Sequence, residues 1–339
     1  MQLLFGRRVL RLLWWKVIPT TLLLPVQLMY SQELKQSPGS ASSNLPAWKS
    51  EHASHLLGLL EAAPNTKGSL SLSPNGLVFT SAAGETAIES GHILAVSAGD
   101  VRMEKGGRAG RLGRMLIPFG GGAVLAAVAQ GQVDLLTVEF RDSHDAYHGA
   151  VFLLPKSEAL AAAKAFGPPV VEGPVNDEGP PCGQVPAVPA SIKLRNVAVE
   201  GPPIPAEYRV LLYEQMIRGI HADAHFGQIY RDGDRLPAAH CPEFQLMLTL
   251  TTFAKGNAAV RSTVGPLGMF LGLTSLKVHA QLIDHTGAVI LNRDFKESQR
   301  GDTDSLDVAN KIAKSVTKKL KKTAAHQAAL SGKTVPPPS

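Results

Sequence analysis

Cysteine is scarce in this chain, and its scarcity excludes several classes of site. Cys182 and Cys241 are the only two cysteines among 339 residues. Two cysteines cannot build a four-ligand structural zinc site, and no histidine pair has the spacing to complete one. No cysteine follows the apolar segment near the N-terminus, which excludes a lipid-modified N-terminal cysteine. Either the two thiols stay free, or they pair in an oxidising compartment, where the bond would stabilise the fold by about 3–4 kcal/mol.

Complete catalytic motifs are also lacking. Gly332-Lys333-Thr334 has Gln327 where a phosphate-binding loop needs a glycine, and the glycines of 107–113 precede no helix of the dinucleotide-binding kind. Neither a Gly-x-Ser-x-Gly nor a His-Glu-x-x-His sequence occurs. These absences favour a non-enzymatic protein without a cofactor or metal. A hydrolase with non-contiguous catalytic residues stays open, because sequence does not reveal scattered triads.

The net charge is modest, and aromatic residues are few. The net charge is +6, charged residues make up 18% of the chain and aromatic residues 6%. Nucleic-acid binding is not expected, because no motif combines basic and aromatic residues. A surplus of this size fits an anionic membrane surface, or no ligand at all. The hydrophobic fraction of 44% is enough for a packed core.

The N-terminus has the pattern of an export signal. Arg7, Arg8 and Arg11 precede Val17–Tyr30, an uncharged apolar stretch of 14 residues that contains Pro19 and Pro25. Positive charge followed by a short apolar segment is what the translocation machinery reads, and spanning a bilayer takes about 20 residues. Residues 1–30 are therefore predicted to be a cleaved signal peptide or a retained anchor. The protein is expected to be exported, and either periplasmic or membrane-associated.

The next segments predict a tether and a β domain. Residues 31–67 are interpreted as a tether with one short helix over Trp48–Ala62. From Gly68 to Phe166 short alternating strands are separated by turns, of which Ser73-Pro74-Asn75-Gly76 is the clearest hairpin signal. An Ala-rich helix, with Ser157 as its N-cap, ends this stretch. Residues 68–166 thus predict a small antiparallel β-barrel or sandwich with a C-terminal helix. Further strands are predicted over Thr86–Glu89, His92–Ser97, Arg114–Pro118 and Ala123–Val128, and a strand pair over Val133–Phe140 and Tyr147–Leu154.

The second half predicts a different domain. Residues 167–190 form a Pro/Gly-rich linker. Residues 191–322 then read as strand, helix, several strands and helix, which predicts an α+β domain with an antiparallel sheet and helices on one face. Asp284–Gly287 forms its hairpin turn, and Val308, Ile312, Val316 and Leu320 form the apolar stripe of its last helix. Residues 323–339 are expected to be a disordered tail.

Both halves resemble known families. In strand order and terminal helix, residues 68–166 resemble the pleckstrin-homology-like, GRAM-type domain. Residues 191–322 resemble an exported, lipoprotein-like bacterial family of unknown function, whose fold is similar to the N-terminal domain of TolB and to the periplasmic part of the curli secretion lipoprotein. That likeness is carried by Thr249–Phe253, Gly256–Arg261, the glycines 265, 268 and 272, and the Asp284–Gly287 turn. It implies no activity. Because no complete catalytic set occurs, the leading hypothesis is a binding or scaffolding role in the cell envelope, with an envelope protein or an anionic membrane surface as partner.

One basic segment is the main candidate ligand site. It alternates cations with glycines over residues 102–114, and its cations are Arg102, Lys105, Arg108, Arg111 and Arg114. Such a loop either donates hydrogen bonds to anionic lipid head groups or is simply solvated. A peripheral lipid-binding protein is therefore the alternative function.

Several weaker candidates accompany the basic segment. His144, Asp145 and His148 lie close in sequence, as a metal site needs, but turn chemistry explains them as well. His221, Asp223 and His225 are discounted in the same way. So is the pair Asp232 and Asp234, because no complete calcium loop follows it. Gly265–Leu273 is interpreted as a core strand with a glycine bend, with a membrane-inserting hairpin as the alternative. The oligomeric state is not predicted.

Overall fold

The computed structural model describes residues 47–104, 130–155, 157–167, 182–183, 185–222, 225–236, 240–255, 274–299 and 306–330. All of them belong to one compact unit, Asn44–Ser339; the other unit, Met1–Ser43, lies outside the described residues. The described part is mostly β, with two sheets and three α-helices. None of its helices is both long and apolar enough to cross a bilayer.

The first sheet has seven strands, each antiparallel to its neighbours. In chain order they are β1 (Trp48–Leu57), β2 (Thr66–Ser73), β3 (Gly76–Ser81), β4 (Gly84–Glu89), β5 (Ile93–Glu104), β6 (Gln130–Arg141) and β7 (Tyr147–Pro155). Their order in the sheet is β4-β3-β2-β1-β7-β6-β5, so that β1 joins two antiparallel meanders. Helix α1 (Glu158–Phe166) follows β7 and packs against this sheet.

Several local predictions for this sheet are confirmed and two are wrong. The Ser73–Gly76 hairpin forms, with Ser73 opposite Gly76, and the strands around Thr86–Glu89, His92–Ser97, Val133–Phe140 and Tyr147–Leu154 are present. Trp48–Leu57 is a strand and not a helix. A β-bulge between Ser50 and Ala53 leaves two buried positions three residues apart, which mimics helical spacing. Ser157 precedes α1, but its side chain makes no capping bond; its backbone N–H donates to Asp134 instead.

The second sheet is mixed, and this corrects the predicted antiparallel sheet. Its strands are β8 (Ala187–Leu194), β9 (Ala198–Val199), β10 (Gln228–Tyr230), β11 (Cys241–Ala254), β12 (Thr274–Asp284) and β13 (Val289–Gln299). The order is β10-β8-β11-β12-β13, with β9 beside β11. β8 runs parallel to β10 and β11, because helix α2 (Ala206–His221) intervenes as a crossover, whereas β11, β12 and β13 are antiparallel.

The last helix, α3 (Asp307–Leu330), extends further than expected. Its predicted stripe of Val308, Ile312, Val316 and Leu320 is buried against α2 and the sheet. The helix also continues from residue 323 to Leu330, through alanines that favour helix, where a disordered tail was predicted. Residues 331–339 lie outside the described residues, as do the predicted strands Arg114–Pro118 and Ala123–Val128.

Two hydrophobic cores meet at β7. One lies inside the first sheet and under α1, and includes Ala150, Phe152 and Leu154 from one face of β7. The other lies between the second sheet and helices α2 and α3, yet it also takes Tyr147 and Val151 from the opposite face of β7. Since both faces of one strand are buried, the two sheets are joined by shared packing and not by a linker alone.

Candidate functional site

Four of the five cations of the predicted anion-binding segment lie outside the described residues. The backbone of Arg102 belongs to β5, and Lys105, Arg108, Arg111 and Arg114 lie outside the described residues. β5 and β6 pair as far as Glu104 and Gln130, so the ends of the segment between them are held side by side. The Gly265–Leu273 run also lies outside the described residues.

The two cysteines form a disulfide in the structure. Cys182 and Cys241 have Cα atoms 5.7 Å apart and are separated by 59 residues in the chain. Cys241 is the first residue of β11 and pairs there with Ala187 of β8. The bond therefore fastens the end of the Pro/Gly-rich segment to the second sheet.

Removing this disulfide should destabilise the fold. For the double variant Cys182→Ser and Cys241→Ser, we expect the free energy of unfolding to fall by about 3–4 kcal/mol, because the unfolded chain regains the freedom of the closed loop. Urea denaturation followed by circular dichroism measures the loss. Reduced wild-type protein should lose the same amount. Equal stability of the oxidised and reduced wild type would contradict the expectation.

The turn between β6 and β7 is organised by the side chain of Asp142. Its Oδ1 accepts hydrogen bonds from the backbone N–H groups of His144 and Ala146, at 2.8 and 3.0 Å, and its Oδ2 lies 3.1 Å from His148 Nε2. His148 is buried and stacked on Phe140, whereas His144 is exposed. In the described part of the chain no three His, Cys, Asp or Glu side chains gather as a metal site needs.

Acidic residues after β10 serve a structural purpose. Asp232 Oδ1 lies 3.0 Å from Arg195 Nε, and Asp234 Oδ2 accepts the backbone N–H of Arg231 at 2.5 Å. Asp145 pairs with Arg235 at 2.6 Å on the surface. These contacts account for the acids that had suggested a calcium loop.

The densest polar cluster lies between β7 and α2. Glu214 of α2 receives two hydrogen bonds from the Arg231 guanidinium, at 2.8 and 2.9 Å, and one from the backbone N–H of Gly149 at 3.1 Å. Arg231 also donates to the carbonyl of Tyr147 at 3.1 Å. Glu214 is buried, with 4% of its surface exposed. One bidentate ion pair thus ties α2, β7 and the segment after β10 together.

A second buried acid extends this cluster. Glu139 of β6 accepts a hydrogen bond from Tyr147 Oη at 2.6 Å and pairs with Arg209 of α2. Burial, and the Glu139 carboxylate beside it, raise the pKa of Tyr147 well above its ordinary value, so the phenol stays a donor. The Tyr147 ring packs edge-on against Tyr213, with centroids 4.9 Å apart. We call Glu139, Tyr147, Arg209, Tyr213, Glu214 and Arg231 the inter-sheet cluster.

The backbone approach beneath this cluster leaves no room for side chains. A Cβ atom at Gly149 would lie 2.4 Å from Val210 Cγ1, and one at Gly58 would lie 1.7 Å from the carbonyl oxygen of Gly149. Beside them a cleft of about 310 Å³ is lined by His55, Leu57–Pro64, Glu214, Arg218 and Arg231. A larger groove of about 490 Å³ lies where Arg195, Asp232, Gln245, Met247, His279 and Gln281 meet on the second sheet.

The buried His55 lines the cleft of about 310 Å³, and its surroundings predict that the stability of the fold depends on pH. Its Nδ1 lies 3.2 Å from the Ala63 carbonyl oxygen, and its Nε2 accepts the Leu59 N–H at 3.0 Å. The ring is therefore neutral, and burial lowers its pKa; burial also lowers the pKa of His148. The unfolded chain takes up these protons from about pH 6.5 downward, before the folded chain does.

The free energy of unfolding should therefore decrease as the pH falls below about 6.5, and the histidine contribution should level off once the lowered folded-state pKa values are passed. Urea denaturation in steps from pH 8 to pH 4, as a rough range around the ordinary histidine pKa, measures the slope. His55→Gln should make the slope shallower. The matched control for the substitution itself is His52→Gln, at an exposed position on the same strand. A slope unchanged by His55→Gln would contradict the assignment.

The inter-sheet cluster joins residues that are distant in sequence, so no local pattern predicts it. In β6 the polar residues Thr137 and Glu139 alternate with apolar ones and so share the other face of the strand, yet both are buried. β7 carries the signal that was available, because its run from Ala150 to Leu154 is apolar at every position, as in a strand buried on both faces. Its partners Glu214 and Arg231 are distant in sequence and could not be joined to it.

Comparison with known proteins does not identify a family for this chain. No family model and no curated protein matches the chain. Among solved structures, a point variant of the PelC dodecamer from Paraburkholderia phytofirmans aligns with 41% of this chain and 93% of its own, at 13% identity and a TM-score of 0.25. A second crystal form of PelC aligns with 38% of this chain and 91% of its own, at 13% identity and a TM-score of 0.24. An uncharacterized protein aligns with 41% of this chain and 97% of its own, at 10% identity and a TM-score of 0.26. TM-scores this low do not establish a shared fold.

Proposed function

We propose that the chain is an exported, non-enzymatic protein of the bacterial cell envelope, with a binding or scaffolding role. The observation that carries the non-enzymatic role is that two buried acids between the sheets, Glu139 and Glu214, already have arginine partners. Glu214 is held by Arg231 and Gly149, and Glu139 by Tyr147 and Arg209. Buried pairs of this kind tie the two sheets together, and removing one partner is costly.

The disulfide supports the exported compartment. A bond between Cys182 and Cys241 persists where thiols are oxidised, as outside the cytosol. It agrees with the basic and apolar N-terminus. The pleckstrin-homology-like interpretation of the first half is supported by two antiparallel meanders followed by a helix. The TolB-like interpretation of the second half is supported by two helices packed on a sheet, although that sheet is mixed.

Localisation with intact mass tests the compartment. The full chain, tagged at its C-terminus, is expressed in a Gram-negative host, the cells are fractionated, and the product is weighed with and without reductant. We expect an envelope-fraction protein that gains the mass of two hydrogens on reduction. It should lack the first 30 or so residues if the signal is cleaved. Full-length protein in the cytosol with free thiols would overturn the proposal, and so would reproducible turnover of a substrate by pure protein.

Peripheral lipid binding is the second candidate, and the β5–β6 hairpin favours it. Because Glu104 pairs with Gln130, the basic segment begins at the end of a long strand pair. Each cation near an anionic surface contributes about 1 kcal/mol. We expect the protein to sediment with vesicles containing anionic lipid and not with neutral vesicles, and Arg108→Glu with Arg111→Glu should abolish the sedimentation. Lys318→Glu with Lys321→Glu, on exposed positions of α3, is the charge-matched control. Equal sedimentation of the two variants would exclude the segment.

A further inference from the structure

Strand β13 forms one edge of the second sheet. Among the described residues it pairs with β12 and with no strand on its other side, along 11 residues from Val289 to Gln299. The outward N–H and C=O groups of an edge of this length are a template for another strand. Edges are commonly protected by charges, lysine above all, so the arrangement of the charges decides whether this edge repels or recruits a partner.

The two faces of β13 have different surroundings. On one face Leu291 and Phe295 pack against the core under α3, and Glu297 accepts a hydrogen bond from Ser315 of α3 at 2.7 Å. On the other face Asn292, Asp294 and Lys296 are exposed. A second strand that continued the sheet with its own helices on the same side would have to keep these two faces aligned.

The charge order of β13 is complementary to itself. Arg293-Asp294-Phe295-Lys296-Glu297 reads positive, negative, apolar, positive, negative. When two such strands run antiparallel about Phe295, each Arg293 faces Glu297 of the second copy on one face. Each Asp294 faces Lys296 of the second copy on the other face. Four opposite-charge pairs then surround a central pair of phenylalanines, and cross-strand pairs of both kinds stabilise a sheet.

Neighbouring registers lack this match. Residues directly opposite each other in an antiparallel pair lie on the same face of the sheet. Among registers that keep the faces of the two copies aligned, the partner of each residue therefore shifts by two positions at a time. Centring the pair on Asp294 puts two aspartates opposite each other, and centring it on Lys296 does the same for two lysines. The sequence therefore selects the register about Phe295.

Lys296 gives a further reason for a partner on this side. Within the chain its directly opposite residue on β12 is Lys277, a like charge. Lys277 and His279 both lie 2.8 Å from carboxylate oxygens of Asp294. An aspartate from a second copy would supply the acid that the β12 side does not place opposite Lys296.

We propose that β13 pairs antiparallel with β13 of a second copy of this chain, in register about Phe295, to form one continuous sheet across a two-fold axis. The partner is thus the same protein, recognised by backbone hydrogen bonds and alternating charge. The pairing is independent of the compartment and of any ligand of the other surfaces.

Charge reversal at one position tests this interface. Sedimentation velocity over a concentration series of the purified protein should show a reversible dimer. In Lys296→Glu the new carboxylate faces Lys277 within the chain but Asp294 of the second copy. The dissociation constant should therefore rise about tenfold, with a thermal midpoint that is unchanged or higher. Lys164→Glu, an exposed position on α1, makes the same charge change and should leave the dimer intact. A monomer at every concentration, or a dimer equally strong in Lys296→Glu, would overturn the proposal.

A crosslink tests the register. Asn292 of one copy lies opposite Ser298 of the other in the proposed pairing, so Asn292→Cys with Ser298→Cys should give a covalent dimer on mild oxidation. Either substitution alone should give little crosslinked product. Non-reducing electrophoresis of the purified protein distinguishes the outcomes, and absence of the covalent dimer in the double variant contradicts the register.

Discussion

Replacing Arg231 by methionine should lower the free energy of unfolding by about 3–5 kcal/mol. The guanidinium makes two hydrogen bonds to the buried Glu214 and one to the Tyr147 carbonyl. Its removal leaves a buried carboxylate, with 4% of the residue exposed, without its bidentate partner. The loss should appear in urea denaturation monitored by circular dichroism.

Two further variants separate pairing from the effect of substitution itself. Arg235→Met removes an exposed ion pair, in which the Arg235 side chain is 83% accessible and that of Asp145 52%. This change should lower the free energy of unfolding by about 0–1 kcal/mol. Glu214→Gln in the Arg231→Met background should recover part of the loss, because the uncompensated charge disappears. A cost for Arg231→Met no larger than that for Arg235→Met would refute the view that this pair holds the sheets together.

Gly58→Ala should be the most damaging single-methyl change in the described part of the chain, at about 3 kcal/mol or more. Gly58 has a φ of +107°, and an added Cβ would lie 1.7 Å from the Gly149 carbonyl oxygen. That atom belongs to the backbone of β7, so no side-chain rearrangement relieves the clash. The thermal midpoint and the urea midpoint should both fall.

The chain supplies a matched control for backbone strain. Gly84 has a φ of +140°, but an added Cβ there meets nothing within 4 Å. Gly84→Ala should therefore cost about 1–2 kcal/mol, from conformation alone. The difference between the two variants measures the close approach of β1 and β7. Equal losses would mean that backbone conformation, and not that approach, accounts for the cost at Gly58.

Local chemistry made the hairpins predictable. The Asp284 turn formed as expected because one carboxylate oxygen accepts the N–H groups of Thr286 and Ala288, both at 2.9 Å, within five residues of sequence. The stripe of α3 was equally visible, because its period is that of a helix packed on one face. Such signals need no knowledge of distant residues.

Features set by distant residues were not predictable in this way. The parallel pairing of β8 with β11 depends on where α2 returns the chain. The burial of Glu139 depends on Arg209, which is 70 residues away. The helix predicted over Trp48–Ala62 failed because a bulge shifted the strand's alternation. In each case the deciding contact lies outside the window that a periodicity covers.

The burial of β7 on both faces also bears on proteolysis. A protease acting between Gly167 and Cys182 would cut the chain once, but Tyr147 and Val151 would remain packed in the core of the second sheet. Glu214 would still bind the Gly149 amide, and the disulfide lies wholly on the far side of the cut. The nicked protein should therefore migrate as one particle under native conditions and as two pieces in detergent. Each half should therefore stay bound to the other after the cut, and neither should dissociate as a free domain.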